Sequence, residues 1–320
     1  MKLEDIRKTS MIGAGTMGPG MGMCFAQAGL DVIIYDTRKE QLEAAIERIE
    51  NSHKILVCEG VMTDSAVSKS RRRISTTSDF KTALEGVQFV LEAVPESLDL
   101  KQQVFKELES LCPSDTILAS NTSGLSISKI ASVCDHPERI VGFHWVHPAE
   151  LVPLVEVIRG ERTSDETARL TYALGEKLGK KPVMIQREAP GIGLNRLQFA
   201  VLREAFHMVE TDIVSPEDLD KIMKYGLGFR YSWLGPLETA DLGGLDVFQS
   251  IASYLFSELS AAQKPPEFLD RLVENNHLGI KTGRGFYEYE EGSRDKILGR
   301  RDLYFIRQWK LIRAMREGTD

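Results

Sequence analysis

The sequence predicts an α/β protein: a mostly parallel sheet interrupted by a helical hairpin, followed by an all-helical C-terminal domain. Three observations carry this. Short apolar runs alternate with amphipathic stretches from Thr9 to about Arg187. A glycine triplet stands where the first apolar run gives way to a helix. After Glu188-Ala189-Pro190-Gly191 the strand pattern stops and helical spacing takes over. A chain of 320 residues also exceeds one core of ordinary size. The expected domains are therefore residues 1–187 and 188–320.

The expected strands are Ser10 to Ile12, Asp31 to Tyr35, Gln88 to Leu91, Thr116 to Ala119, Arg139 to Phe143, Pro153 to Ile158 and Pro182 to Gln186. Between the second and third, Leu42, Ala45, Ile46 and Ile49 recur at helical spacing, Glu59-Gly60 breaks the pattern, and Thr63-Asp64 is a cap for a second helix. This is the inserted hairpin. In the second half, Ser215-Pro216-Glu217-Asp218 reads as an N-cap, a first-position proline and acidic residues in the first turn. From about Asp295 to Arg316, Phe305, Trp309 and Ile312 mark an amphipathic helix that packs on its own chain or on a sister subunit.

Composition excludes several function classes. The net charge of -7, with both signs interspersed, gives no basic stripe for nucleic acid. The run Arg71-Arg72-Arg73 reads as a solvated helix end. Cys24, Cys58, Cys112 and Cys134 are widely spaced, without metal-ligand grouping, so they read as buried free thiols of a reducing cytoplasm. No apolar run approaches the ~18 residues of a membrane span.

Gly13, Gly15 and Gly18 form GxGxxG at the end of the first strand. The first glycine permits the tight turn, the second admits a pyrophosphate, and the third lets helix and strand pack closely. Thr16 and Met17 lie at the helix start, where free N–H groups hold phosphates. Asp36 ends the second strand, eighteen residues past Gly18, where its carboxylate accepts the adenosine ribose hydroxyls and repels a 2′-phosphate. This is a Rossmann-type dinucleotide site that prefers NAD; Arg38 keeps NADP as the minor alternative, and a simple helix cap is the plain alternative for Asp36.

Two residues break the sheet's local rules. Glu156 sits inside LVPLVEVI, where an unpaired carboxylate would cost several kcal/mol, so it needs a partner. His144 ends the strand IVGFH, at the edge of an open sheet where ligands collect. Glu156 holding the imidazole in one tautomer makes a general base with its orienter. Ser123, in SNTSG, and Asn195, in APGIGLNR, are candidates to hydrogen-bond a substrate oxygen. Taken alone, Ser123 and Asn121 read as helix caps.

With these motifs assembled, the chain resembles the L-3-hydroxyacyl-CoA dehydrogenases, from IGAGTMG through VLEAVPE, ILASNTSGL, LVEVI, APGIGLNR and GPLETADLGGLD to GIKTGRGFYEY. The resemblance implies an NAD-dependent oxidoreductase of fatty acid metabolism, in which His144 and Glu156 form the base pair and Ser123 and Asn195 contact the substrate oxygen. It also implies that Glu96, Lys101, Asn121 and Lys281 lie near NAD, that Ser52 contacts CoA, and that the helical domain forms a homodimer. Without the resemblance, Glu96, Lys101 and Lys281 read as solvated surface charges.

The chain departs from that pattern at three places. His147 stands where the family usually has asparagine, and the stretch KILVCEG lacks the lysine expected to meet CoA phosphates. GLGFRYSWLGPLET is similar to relatives that oxidise free hydroxy acids, the gulonate dehydrogenase and lambda-crystallin group, the carnitine dehydrogenases and a pyridine-carboxylate dehydrogenase. There Arg230 is placed to pair with a small carboxylate. The expected activity is 3-hydroxyacyl-CoA oxidation, with a free hydroxy acid as the alternative substrate and a non-catalytic NAD(H)-binding protein as the alternative class. The decarboxylating β-hydroxyacid dehydrogenases have a catalytic lysine four residues before the asparagine, where this chain has Gly191.

Overall fold

The computed structural model describes residues 1–317 and divides into two compact units, Met1–Asn195 and Arg196–Asp320. In the first, eight strands form one sheet: β1 Lys8–Ile12, β2 Asp31–Tyr35, β3 Ile74–Thr77, β4 Phe89–Glu92, β5 Ile117–Ser120, β6 Ile140–Trp145, β7 Leu154–Ile158 and β8 Lys181–Ile185. Their spatial order is β3-β2-β1-β4-β5-β6-β7-β8. All neighbours are parallel except β6 and β7. The exception follows from chain length, because a parallel crossover needs about a dozen residues and only residues 146–153 join these two strands.

Seven strands fall where the apolar runs predict, with ends moved by one or two residues. The edge strand β3 was not expected. Its sequence ISTT buries only Ile74 fully, so no apolar run announces it; the strand exists because Ile74 to Thr77 pair with Val32 to Tyr35 of β2.

The first helices are α1 Gly18–Gln27, α2 Lys39–Cys58, α3 Asp64–Arg71, α4 Phe80–Leu84, α5 Leu98–Leu111, α6 Ile127–Ala131 and α7 Asp165–Lys177. The expected hairpin is α2 and α3. Leu42, Ala45, Ile49, His53 and Leu56 make one buried stripe along α2, and Thr63 caps α3 by accepting the N–H of Ala66 at 3.2 Å. Of the arginine run, Arg73 pairs with Asp31 at 2.7 Å and Arg71 ends α3, so structure accounts for it.

One side of the core is an aromatic cluster in which Phe25, Phe89, Phe143 and Trp145 have centroids 5.5 to 6.0 Å apart. A second group joins Phe105, Leu108, Ile130, Ile140 and Ile192. Strand order reverses between β1 and β4, so the helices leave in opposite directions and a crevice opens at the strand ends.

α8 Leu194–Glu210 carries the chain into the second unit. There α9 Pro216–Ile222, a π-turn at Met223–Leu227, α10 Gly228–Tyr231, α11 Pro236–Gly243, α12 Leu245–Leu255, α13 Glu267–Glu274 and α14 Arg294–Glu317 follow, with no named strand among the described residues. Ser215 caps α9 by accepting the N–H of Asp218. Phe206, Phe268 and Phe286 cluster with centroids within 6.0 Å of one another, Phe206 stacked on Phe286 and Phe268 edge-on to both. In α14, Phe305, Trp309 and Ile312 are half-buried and Ile306 is buried, while Tyr304 and Leu311 are exposed. Among the described residues, no helix is long and apolar enough to cross a membrane.

Candidate active site

The glycine motif folds as the phosphate loop requires. Gly13 has φ 113°, and a Cβ there would stand 2.7 Å from the carbonyl oxygen of Ala93. A Cβ on Gly18 would lie 2.0 Å from the carbonyl oxygen of Gly13. Gly15 has nothing within 4 Å of a Cβ position, leaving space for a phosphate to approach. A cavity of about 860 Å³ opens beside the loop, lined by Gly13, Gly15, Thr16, Met17, Asp36, Arg38, Glu96, Asn121 and Ser123 among others. Such a volume suits a dinucleotide, and the open N–H groups at the start of α1 suit its pyrophosphate.

Asp36 does more than line this cavity. Its Oδ2 accepts the N–H of Ala14 and its Oδ1 that of Arg38, both at 3.0 Å. It therefore ties the end of β2 to the glycine loop and to the cap of α2. Arg38 Nε stands 3.8 Å from the same carboxylate.

Glu96 also reaches the cavity wall, where its Oε1 accepts the hydroxyl of Thr122 and the N–H groups of Ser123 and Gly124. Burial raises its pKa, but the hydrogen bond from Thr122, the charge of Lys101 and the N–H of Ser123 outweigh that and hold it below the ordinary carboxylate value. Its carboxylate thus fixes the loop that presents Ser123. Asn121 is not a helix cap: its Oδ1 accepts the N–H of Trp145 at 2.8 Å, joining the ends of β5 and β6. The cap of α6 is Ser126.

Lys101 is not the surface charge its sequence suggests. It is 1% exposed and donates to Glu92 Oε1 at 2.6 Å, with Glu96 Oε2 at 3.4 Å. Sequence reasoning missed Glu92, which is fully buried and also accepts the hydroxyl of Ser120 and the N–H of Val94, both at 2.7 Å. Its burial raises its pKa against the opposing influence of Lys101.

The antiparallel pairing of β6 and β7 puts His144 directly opposite Glu156, and opposed residues on neighbouring strands share one face. His144 Nδ1 lies 2.8 Å from Glu156 Oε2, with both residues buried. Burial works against the charge of Glu156, yet the hydrogen bonds from His144, Leu194 and Gly193 lower its pKa. An ionised Glu156 accepts from Nδ1–H and leaves Nε2 free to take a proton. Ser123 is exposed, and its carbonyl oxygen accepts the side-chain N–H of Asn195 at 3.0 Å. The first unit thus gathers His144, Glu156, Ser123 and Asn195 by direct or short links.

Ser52 lies elsewhere, on α2, where its hydroxyl donates to Glu150 Oε1 at 2.8 Å. Sequence reasoning did not single out Glu150. It wedges between α2 and α1, where a Cβ on Gly20 would meet its Oε2 at 2.4 Å. Arg230 and Lys281 belong to the second unit and are exposed there.

Known proteins match this chain along most of its length. The profile described as 3-hydroxyacyl-CoA dehydrogenase, NAD binding domain, matches residues 8–189, and its C-terminal domain profile matches residues 191–289. The chain belongs to the 3-hydroxyacyl-CoA dehydrogenase family. It is 39% identical to a probable 3-hydroxybutyryl-CoA dehydrogenase of Bacillus subtilis, over 90% of this chain and 99% of that protein. It is 34% identical to the 5-formyl-3-hydroxy-2-methylpyridine 4-carboxylate 5-dehydrogenase of Mesorhizobium japonicum, over 98% of this chain and 100% of that one. A crystal structure of a dehydrogenase of that pyridine carboxylic acid, described as an NAD+-dependent dismutase, superposes with a TM-score of 0.90 at 33% identity, covering 96% of this chain and 99% of its own. The (S)-3-hydroxybutyryl-CoA dehydrogenase of Ralstonia eutropha gives 0.75 at 33% identity, covering 89% and 100%. This member of the family is an NAD-dependent oxidoreductase acting on hydroxyl groups.

Proposed function

We propose that this enzyme oxidises the hydroxyl group of a free hydroxy carboxylate, with His144 as general base, Glu156 as its orienter, and Ser123 and Asn195 on the substrate oxygen. NAD, when bound, supplies the hydride acceptor. His144 Nε2 takes the hydroxyl proton, and the buried Glu156 carboxylate stabilises the imidazolium that results. Ser123 and Asn195 stabilise charge on the oxygen as it becomes a carbonyl. Gly13, Gly15, Thr16, Met17, Gly18, Asp36, Glu96 and Asn121 form the cofactor side of this reading, and Lys101 acts from beneath through Glu96.

The observation that carries the choice of substrate is the Ser52–Glu150 bond. The hydroxyl expected against a CoA is committed to a carboxylate, whose charge repels phosphates, and Lys54, two residues on and the hairpin cation that could compensate, donates to Asn51 instead. The full-length match to the pyridine-carboxylate dehydrogenase supports the same reading, since the 3-hydroxybutyryl-CoA relatives cover only 88 to 90% of this chain. On chemistry alone, Arg230 is proposed for the substrate carboxylate and Lys281 for NAD.

A second reading, oxidation of a 3-hydroxyacyl-CoA, is favoured by the family profile and by the 39% identity to the Bacillus subtilis relative. NAD reduction at 340 nm, with L-3-hydroxybutyryl-CoA beside a panel of free hydroxy acids, separates the two. Turnover of free acids alone supports the first, and strong turnover of the thioester refutes it.

We further propose a homodimer formed through residues 188–320, with residues 1–187 serving NAD, in a cytoplasm that keeps the four unpaired thiols reduced, of which Cys58 is exposed and not buried as the sequence suggests. In the second unit Leu237, Tyr225, Leu242, Phe229 and Phe256 are 73 to 80% exposed, and among its described residues only Ala205 and Ile306 are buried apolar side chains. Exposure on this scale supports an association surface. Sedimentation should give twice the chain mass of 35.8 kDa; a monomer at micromolar concentration would refute the proposal.

A further inference from the structure

Glu156 uses its two oxygens differently. Oε2 faces His144, while Oε1 accepts the N–H groups of Gly193 at 3.1 Å and Leu194 at 2.8 Å. These donors lie at the start of α8, where backbone N–H groups have no partner within the helix. The chain reaches them through costly backbone, with Gly191 at φ 77° and Ile192 at φ 54°. For a β-branched residue that conformation is an outlier costing about 1–3 kcal/mol, and the burial of the Ile192 side chain offsets it. Gly193 admits no side chain, because a Cβ would stand 2.5 Å from Glu156 Oε1 and 3.1 Å from Ile185 Cδ1. Two residues on, Asn195 donates to the Ser123 carbonyl.

We propose that residues 191–194 are a positioning turn for the dehydrogenase reaction: the N–H groups of Gly193 and Leu194 lock the Glu156 carboxylate, and with it the tautomer of His144, while the same bonds set Asn195 beside Ser123. The proposal rests on the reading of His144 as base. Two donors on Oε1 stop the carboxylate from rotating, so Oε2 stays on Nδ1–H and Nε2 stays the basic nitrogen. His144 is the titratable group that faces Glu156 from β6, while β8 sets Val183 opposite Glu156 and carries Lys181, exposed, two residues along the same face. Losing the two N–H bonds therefore raises the Glu156 pKa, and the acid limb of kcat/KM moves to higher pH.

The test is Gly193→Ala in the full-length enzyme, whose added Cβ displaces the carboxylate. The expected result is a fall in kcat of about 10- to 100-fold, an acid limb at higher pH, and an NADH affinity changed by less than about twofold, since the glycine loop is untouched. Glu156→Asp withdraws the carboxylate and makes room for the methyl, so the double variant should lose less than the product of the two single losses. Glu156→Leu removes the acceptor and gives a readout that does not depend on G193A folding, because the amides of Gly193 and Leu194 should exchange hydrogen at least about tenfold faster. Unchanged kcat and pH profile in G193A, strictly multiplicative losses, or unchanged exchange in E156L would overturn the proposal. Should His144→Gln keep full turnover, the base assignment itself fails, whatever the turn variants do.

Discussion

Replacing Lys101 by methionine tests the interior of the site most directly. Lys101 and Glu92 are 1% and 0% exposed, and their 2.6 Å contact is joined on Glu92 by the Ser120 hydroxyl and the Val94 N–H. Methionine keeps the volume and removes the cation, leaving a buried carboxylate with two neutral donors. Breaking one side of a buried ion pair costs about 3–5 kcal/mol. The loss must also depend on pH. Burial already raises the Glu92 pKa, and Lys101 is the largest influence opposing it, so the variant's Glu92 binds its proton still more tightly when folded. A carboxyl with a raised folded pKa favours the folded state at low pH, and that contribution is lost as pH rises through the folded value. K101M should therefore be most destabilised near pH 8 and least near pH 5. Urea denaturation of variant and wild type at both pH values measures the difference. A loss below about 1 kcal/mol, or one equal at the two pH values, would refute the reasoning. The K101M/E92Q double variant, which removes the buried charge, should recover much of the stability lost at pH 8.

Four further outcomes are expected. His144→Gln should abolish turnover while calorimetry finds NADH binding nearly unchanged; lost affinity would show that the residue serves the fold or the cofactor. Gly18→Ala should abolish NAD binding, because its methyl cannot coexist with the Gly13 carbonyl 2.0 Å away, and NADH fluorescence titration checks this. Asp36→Ala should raise KM for NAD by about 10- to 100-fold, from the loss of charged hydrogen bonds worth ~1.5–3 kcal/mol each, without creating efficient NADP turnover. Initial rates with both cofactors decide that case. Thr63→Ala, which deletes the cap of α3, should cost about 1 kcal/mol in denaturant unfolding and leave kcat unchanged.

Much of this architecture was legible because the physics that makes it acts locally. GxGxxG, the apolar strands and the capped hairpin each declare themselves within a few residues. Glu156 was legible by the cost of a charge inside an apolar run. The same rule applied to FVLE would have found Glu92, and a lysine nine residues later at a helix start was its available partner. What the sequence could not show was partnership at a distance. Ser52 meets Glu150 across 98 residues, and Gly193 and Leu194 reach Glu156 across 37 and 38. Nothing in the local pattern of either segment encodes those meetings. The edge strand β3 escaped for a different reason, since a strand open to solvent on one side needs few apolar residues.

The short reversal between β6 and β7 has a consequence for substitution. His144 and Glu156 stand on adjacent arms of one antiparallel pair, and what sets them opposite each other is strand register, which side-chain alternation fixes to within a residue. The connecting residues 146–153 carry His147 and Glu150 but take no part in that register. Side chains of this segment can change without moving that register, while its backbone stays held to the sheet because the Ala149 and Val152 carbonyls accept from Lys180. The fold thus keeps the register that joins His144 to Glu156 apart from the side chains of the connecting segment, though the two lie within a few residues of each other.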